Sequence, residues 1–144
     1  MVEAKRIARV LGGRVVLGKS VASIEDLEEM VTEGLPKVAL RTAVRRVFLA
    51  AREANRYLYR IVPEATYKRR AGRLRASESE RTERLARVIA AAESAWDDQE
   101  DAREWLTKPH PELGERTPME CALTELGARQ VESLIDRLQY GLPV

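Results

Sequence analysis

The stretch 77-SESERTERLARVIAAAESAW-96 has a strong apolar periodicity. Its apolar side chains recur every three or four residues, a spacing that gathers them on one face of an α-helix. Ser77 and Glu80 fit a capping box, so the sequence predicts that this helix begins at Ser77. The predicted apolar face consists of Leu85, Val88, Ile89, Ala92 and Trp96.

Helical patterns also fill the chain before this stretch. Residues 3–11 place their apolar side chains at helical spacing. Residues 24–33 form another predicted helix, with Ser23 as its N-cap and acidic residues in its first turn. The segment Gly34-Leu35-Pro36 is expected to end that helix.

The following segment predicts a helix, a break and a polar helix. Four apolar residues at the positions i, i+3, i+4 and i+7 indicate one helix through Ala51. The pattern breaks near Asn55, and residues 58–62 give a further short apolar segment. Pro63 suits the first turn of a helix, which would then run through 63-PEATYKRR-70. The four apolar residues are Val44, Val47, Phe48 and Ala51.

Helical signals continue to the end of the chain. Asp97-Asp98 is expected to restart the chain into a short helix that carries Trp105 and Leu106. Residues 117–120 combine an N-cap threonine, a first-turn proline and a capping-box glutamate. Only residues 14–17 look extended, so we predict an all-α helical bundle with about seven helices. The last predicted helix carries Val131, Leu134, Ile135 and Leu138 and ends at Gly141.

The segment 13-GRVVLGKS-20 matches the phosphate-loop pattern of nucleotide-binding proteins. Such a loop leaves a buried strand and opens a helix, so that backbone N–H groups converge on phosphate oxygens. No buried strand is predicted before Gly13, and bulky residues fill positions where the backbone must wrap closely around phosphates. We therefore interpret the match as a coincidence and expect no nucleotide cofactor.

Length and composition limit the class of protein. A chain of 144 residues makes one domain or two very small ones. Its single cysteine, Cys121, excludes an internal disulfide and fits a reducing cytoplasm. No stretch approaches the apolar length of a membrane span, and the N-terminus lacks the apolar core of a signal peptide. We expect a soluble cytoplasmic protein without membrane contact.

Charge is segregated along the chain, although the net charge is only +2. Residues 1–36 have 5 basic and 6 acidic side chains, whereas residues 37–87 have 15 basic and 5 acidic ones. Residues 88–144 reverse the balance, with 5 basic and 12 acidic side chains. The basic middle favours a polyanionic partner, and the acidic end favours a protein partner or simple solvation.

The segment 56–70 is typical of a helix-turn-helix. A short apolar helix is followed by a tight turn and a polar helix with hydroxyl groups and cations, which suit phosphates and guanine edges. A solvated basic helix without a ligand is the alternative. The predicted DNA-binding residues are Thr66, Tyr67, Lys68, Arg69, Arg70 and Arg73.

The sequence has few residues of the types that often act in catalysis or metal binding. His110 lies between two prolines in a loop, and Cys121 follows a helix start, where it is expected to be a small buried residue. The acidic run over residues 97–104 lacks the spacing and the glycine of a calcium loop. We therefore predict no catalytic residue and no metal site, and the protein is expected not to be an enzyme.

Several segments together resemble the Xre-type antitoxins of RES–Xre toxin–antitoxin pairs. They are Gly34-Leu35-Pro36, 61-IVPEATYKRR-70, 77-SESERTERLARV-88 and 108-KPHPELGERTPMECALTELGARQVESLIDRLQYGLP-143. The last segment looks like the ParS/MbcA-like toxin-binding domain. Two features depart from the family: Gly114-Glu115 replaces the usual double glycine before Arg116, and the helix-turn-helix is less regular.

The resemblance implies an antitoxin. The family's carboxy-terminal domain binds a RES toxin, which degrades NAD and is related in fold to ADP-ribosyl transferases, and it blocks the toxin's active site. The middle portion of the family binds operator DNA, regulates its own operon and forms a homodimer. This division implies an entry segment over residues 1–36, a helix-turn-helix-like domain over 37–96 and a toxin-binding domain over 97–144.

The toxin-binding surface is expected within residues 109–144. Prolines stiffen the loop before residue 117, so little ordering entropy is lost when a partner binds it. The apolar tail over residues 140–144 contains one aromatic residue, Tyr140, and suits insertion into a toxin's cleft. Arg116 and Arg129 suit acidic toxin groups, or else salt bridges to Glu112 or Glu125. The predicted toxin-binding residues are Leu113, Gly114, Arg116, Thr117, Pro118, Arg129, Tyr140, Gly141 and Leu142.

A second class of function stays open from the sequence. The protein is alternatively a DNA-binding transcriptional regulator that has no toxin partner, with its acidic end serving for dimerisation. A RES-type reading frame beside this one distinguishes the two hypotheses.

Overall fold

The helix predicted from the 77–96 periodicity lies at the centre of the molecule. A computed structural model describes residues 2–141. The helices are α1 (Ala4–Val10), α2 (Gly13–Leu17), α3 (Ile24–Glu33), α4 (Lys37–Val47), α5 (Ala51–Ile61), α6 (Glu64–Arg69), α7 (Ala76–Trp96), α8 (Gln99–Leu106), a 3-10 turn (Pro111–Leu113), α9 (Pro118–Cys121) and α10 (Glu125–Gln139).

Helix α7 packs against helices from both halves of the chain. It contacts α1, α3, α4 and α5 on the N-terminal side and α8 and α10 on the C-terminal side. Leu85, Val88, Ile89 and Ala92 are buried as the periodicity predicts, and Trp96 is half-buried. One continuous apolar core therefore runs through the described residues.

Hydrogen bonds from buried polar groups join distant segments across this core. The Ser79 hydroxyl on α7 accepts the N–H of Leu35 at 2.8 Å, which ties the Gly34-Leu35-Pro36 turn to the central helix. The hydroxyl of Tyr57 donates to the carbonyl of Met119 at 2.6 Å. Burial raises the pKa of Tyr57 above its usual value, so this phenol stays a donor. The basic middle and the acidic end are thus joined by a buried contact.

The all-α prediction is confirmed, since the part of the chain that the structure describes has no strand. The prediction of an extended segment at residues 14–17 is wrong, because these residues form α2. Gly12 and Gly18 adopt left-handed conformations at its two ends, which isolates a single helical turn. In a phosphate loop, the residues between the two glycines form a loop that precedes a helix. Here these residues are themselves helical.

Two helix boundaries differ from the prediction. The chain breaks at residues 48–50 and not near Asn55, which lies inside α5. Phe48 fits the apolar pattern because it packs on Tyr57, with 5.1 Å between ring centres, from outside the helix. Helix α7 begins at Ala76, where the Glu78 carboxylate accepts the N–H of Arg75, so Ser77 and Glu80 do not cap it. The predicted N-caps at Ser23 and Thr117 are confirmed.

Candidate functional site

Helix α6 is held by contacts to α4 through Tyr67. This tyrosine is buried, and its hydroxyl donates to the carbonyl of Lys37 at 3.0 Å. In return, the Lys37 ammonium donates to the carbonyls of Tyr67 and Arg70 at 3.0 and 3.1 Å. It also lies 4.8 Å from the centre of the Tyr67 ring. Tyr67 therefore anchors α6, and its polar atom faces the protein.

Two of the predicted DNA-binding cations also make internal contacts. Arg70 forms two hydrogen bonds with the Glu78 carboxylate, at 2.6 and 2.9 Å. The hydrogen bond from Arg70 lowers the pKa of Glu78 to about 2. One guanidinium nitrogen of Arg73 donates to the carbonyl of Gly34 at 2.7 Å. These two cations join the segment after α6 to α7 and to the Gly34 turn.

The remaining predicted residues of α6 lie at the surface. Lys68 and Arg69 are exposed, and Thr66 is half-exposed. Lys68 pairs with Glu64 at 2.8 Å, a surface pair that water screens. Arg69 lies 3.4 Å from the Thr66 hydroxyl, a long hydrogen bond that leaves most of its donors accessible. Thr66 and Arg69 thus lie on one accessible side of α6, and Lys68 is accessible on another.

An arginine stripe on α5 adds exposed positive charge that was not predicted from the sequence. Arg52, Arg56 and Arg60 recur every four residues and are all exposed. Within residues 2–141, none of the three forms a salt bridge or a side-chain hydrogen bond. The i, i+4 spacing of these three arginines is the sequence signal that identifies the stripe.

A cleft of about 700 Å³ opens between the 3-10 turn and α10. Three of the predicted toxin-binding residues, Leu113, Arg116 and Arg129, line it. Leu126 and Arg137 line it as well and were not predicted; Leu126 is 73% exposed despite being apolar. The loop therefore brings part of the predicted surface together with one face of α10.

Local hydrogen bonds position the loop that forms one wall of this cleft. The imidazole Nδ1 of His110 accepts the N–H of Glu112 at 3.1 Å, which caps the 3-10 turn. Arg116 donates from Nε to the carbonyl of Leu113 at 2.9 Å. Thr117 and Glu120 form the predicted capping box, with both hydrogen bonds at 3.0 Å. His110 therefore has a structural role in the loop.

The cleft is positive within an acidic part of the chain. Arg116, Arg129 and Arg137 face it together with a single carboxylate, that of Glu112. The Arg137–Glu112 pair is long, at 3.4 Å, and the Arg129–Glu125 pair has the same length. The Nε atom of Arg137 is buried and, among the residues described, has no hydrogen-bond partner. Such a surface suits an acidic group on a partner.

The other predicted toxin-binding residues are dispersed. Gly114 adopts a left-handed conformation at the end of the 3-10 turn, Thr117 is an N-cap, and Pro118 is buried at the start of α9. Tyr140 and Gly141 follow α10 and are exposed, outside the cleft. Leu142 lies outside the described residues.

The described residues offer no group of acidic, histidine or cysteine side chains suited to a metal ion. Cys121 is buried, and burial raises the pKa of its thiol, so it behaves as a small apolar side chain. None of the helices searched in residues 2–141 is long and apolar enough to cross a membrane.

Two known families match parts of this chain. Residues 26–87 match the family described as "Antitoxin Xre-like helix-turn-helix domain". Residues 91–141 match the family described as "Antitoxin Xre/MbcA/ParS C-terminal toxin-binding domain". The first match contains α5 and α6 with their arginines, and the second contains the positive cleft.

Three curated relatives have the name Antitoxin Xre. The relative from Pseudomonas putida is 30% identical over 124 residues, which cover 84% of this chain and 76% of the relative. The relative from Yersinia enterocolitica is 40% identical over 72 residues, and that from Photorhabdus laumondii is 36% identical over 72 residues. These two alignments cover 49% of this chain and 49% of each relative.

Proposed function

Because the chain belongs to the antitoxin Xre family, we propose that it neutralises a RES-type, NAD-degrading toxin and represses its own operon. The family's two domains are a DNA-binding helix-turn-helix and a toxin-binding domain, and neither is an enzyme domain. The RES identity of the toxin rests on the resemblance of the 108–143 segment to RES-paired antitoxins.

The positive cleft is the observation that supports toxin binding most directly. It lies in the segment that matches the toxin-binding domain, and its wall includes the exposed apolar side chain of Leu126. Interfaces typically centre on a desolvated apolar contact surrounded by polar groups, and arginine is enriched in them. The cleft, with Leu126 and three arginines in its lining, has this composition.

Inhibition of the protein encoded by the neighbouring reading frame tests the toxin proposal. NAD consumption by that protein should stop when this antitoxin is added in equimolar amount. Leu126→Asp should restore NAD consumption, since it replaces an exposed apolar side chain of the cleft by a carboxylate. Val15→Asp is the control, because Val15 is 96% exposed on α2 and lies far along the chain from the cleft. If the neighbouring protein neither binds this chain nor consumes NAD, the better hypothesis is a DNA-binding regulator that has no toxin partner.

The tail gives a second contact in this proposal. Tyr140 is 69% exposed at the end of α10, and an exposed aromatic side chain is a frequent anchor in interfaces. We propose that the tail from Tyr140 onward enters the toxin's active-site cleft. Deletion of residues 140–144 should weaken NAD protection; full protection by the truncated chain would exclude the tail as the blocking element.

Homodimerisation belongs to the operator-binding part of the proposal. Operators are commonly read by symmetric dimers. The large apolar side chains of Phe48, Leu58 and the 85–96 face do not form such an interface, because they pack in or against the core of the monomer. Support comes from Val38 on α4 and Leu49 in the turn after it, two apolar side chains that are 55% and 62% exposed. Light scattering should give the mass of a dimer, and Val38→Asp should give that of a monomer.

A further inference from the structure

A second groove lies on the other flank of α10, between α10, α7 and α3. Its volume is about 780 Å³, and its floor includes Ile24, Leu27 and Val31 of α3. Ile24 is 58% exposed, so the described part of the chain leaves this apolar floor accessible. The groove therefore joins the first helix of the helix-turn-helix match to the last helix of the toxin-binding match.

Carboxylates outnumber cations around this groove. Six acidic side chains line it, whereas only Arg87 and Arg129 are basic. Arg87 already pairs with two of the carboxylates, with Glu83 at 2.9 Å and with Glu132 at 3.1 Å. The acidic residues are Glu28, Glu80, Glu83, Glu125, Glu132 and Asp136.

The negative charge is partly buried. Burial raises the pKa of Glu83, and the nearby carboxylates of Glu132 and Glu125 raise it further, against the lowering effect of Arg87. A carboxylate in such surroundings is stabilised by an additional cation. The groove thus combines an apolar floor with an acidic rim, the complement of an amphipathic segment that carries lysine or arginine beside its apolar residues.

The groove is continuous with the positive cleft across α10. Arg129 and Ser133 line both, so α10 forms a ridge between two surfaces of opposite charge. The cleft and the acidic groove are separated by the width of one helix, about 10 Å. A partner that binds α10 at the cleft can therefore contact the groove as well.

We propose that the toxin contacts α10 on both sides, at the cleft and at the groove, and inserts a basic amphipathic segment into the acidic groove. This inference rests on the proposed function and adds to the cleft a further contact of opposite charge, which reaches α3. A second copy of this chain fits the groove less well. Its basic surface lies on α5 and α6, and a single contact between that surface and the groove is heterologous, which yields rings or open chains of molecules.

A pair of charge reversals tests the proposal. Glu28 and Asp136 line the groove, are exposed and form no salt bridge among the described residues, so Glu28→Lys with Asp136→Lys leaves the internal ion pairs intact. The control is Glu29→Lys with Glu33→Lys, an equal charge change at exposed positions of α3 outside the groove. Circular dichroism should give the same unfolding midpoint for the two double variants.

Calorimetry with the purified product of the neighbouring reading frame measures the contact. The groove variant should bind about tenfold more weakly, and its affinity should depend less on salt than that of the native protein. The control variant should bind like the native protein.

Two results overturn the inference and leave the proposed function standing, and a third overturns both. If Leu126→Asp abolishes binding while the groove variant binds like the native protein, the toxin uses the cleft alone and the proposed function stands. If the groove variant loses self-association while it retains toxin affinity, the occupant is a second copy. Absence of binding by the native protein overturns both proposals together.

Discussion

Arg69 and Arg70 are adjacent in the sequence but have different surroundings. Arg69 is exposed on α6, whereas the guanidinium of Arg70 is held by Glu78 beside α7. Arg69→Ala should therefore weaken operator binding and reduce the slope of log affinity against log salt by about one unit, the loss of one phosphate contact. Its thermal unfolding midpoint should not change.

Arg70→Ala should have the opposite profile, because it leaves the buried Glu78 carboxylate without its partner. The unfolding midpoint should fall by several degrees, and the salt slope of DNA binding, measured well below that midpoint, should stay that of the native protein. Circular dichroism and fluorescence anisotropy give the two readouts. An unchanged midpoint together with a reduced salt slope would mean that Arg70 leaves Glu78 to contact DNA.

The Glu78 carboxylate predicts how stability responds to acid. Its folded pKa, about 2, lies below the ordinary value of 4.5, so the folded state favours the charged form. The stabilisation is complete above pH 4.5 and is lost as the pH falls towards 2. Glu78→Gln should unfold at a lower temperature at neutral pH, and its difference from the native protein should shrink over that interval. A difference that stays constant with pH would contradict this origin.

Gly127 allows α10 to begin close to α9. A Cβ atom at this position would overlap the backbone carbonyl of Cys121. Gly127→Ala should cost about 1–3 kcal/mol of unfolding free energy, since backbone cannot move aside as a side chain can. Gly72→Ala is the matched control, because a Cβ atom there meets no neighbour. Chemical denaturation measures both, and equal stability of the two variants would contradict the close packing.

Among the helices, α5 offers the clearest test of the basic surface. Arg52→Ala with Arg56→Ala should lower the salt slope of operator binding by about two units if both arginines contact phosphates. Arg9→Ala is the control, since Arg9 is exposed on α1, outside the helix-turn-helix match. An unchanged slope in the double variant would restrict the DNA surface to α6.

The long helices were predictable because their apolar spacing is regular, whereas the turn after α4 was not. Residues 48–50 read Phe-Leu-Ala, without the glycine, proline or asparagine that usually identifies a turn. Helix α2 was missed because two valines and a leucine favour an extended segment, and its flanking glycines override that preference.

Side-chain partners were beyond the sequence for a different reason. The Arg70–Glu78 pair depends on how the chain turns between α6 and α7, and the cleft beside α10 depends on where the 3-10 turn packs. The residue types in the positive cleft were partly predicted, namely Leu113, Arg116 and Arg129. Leu126 and Arg137 become recognisable only when the loop and α10 are seen side by side.

Considered as a whole, the molecule does not separate cleanly at residue 96. The predicted domains over 1–36, 37–96 and 97–144 remain a proposal. Contacts cross the boundary at residue 96, because α8 and α10 pack on α7 and the Tyr57 hydroxyl donates a hydrogen bond to the carbonyl of Met119. A fragment of residues 97–144 lacks α7, so the buried faces of its helices would be exposed to water. It should show no cooperative thermal transition, whereas the full chain should show one. A sharp transition in the fragment would establish an independent domain and allow it to be tested for NAD protection.

The position of α7 also bears on how cells dispose of this protein. The helix-turn-helix match ends at residue 87 and the toxin-binding match begins at residue 91, so both meet inside one helix that spans Ala76–Trp96. A protease that digests the chain from its C-terminal end removes α10 and α8, which pack on α7. Their loss should unfold the DNA-binding half as well. Degradation is then expected to be all-or-none, so that no truncated chain with a folded helix-turn-helix would remain.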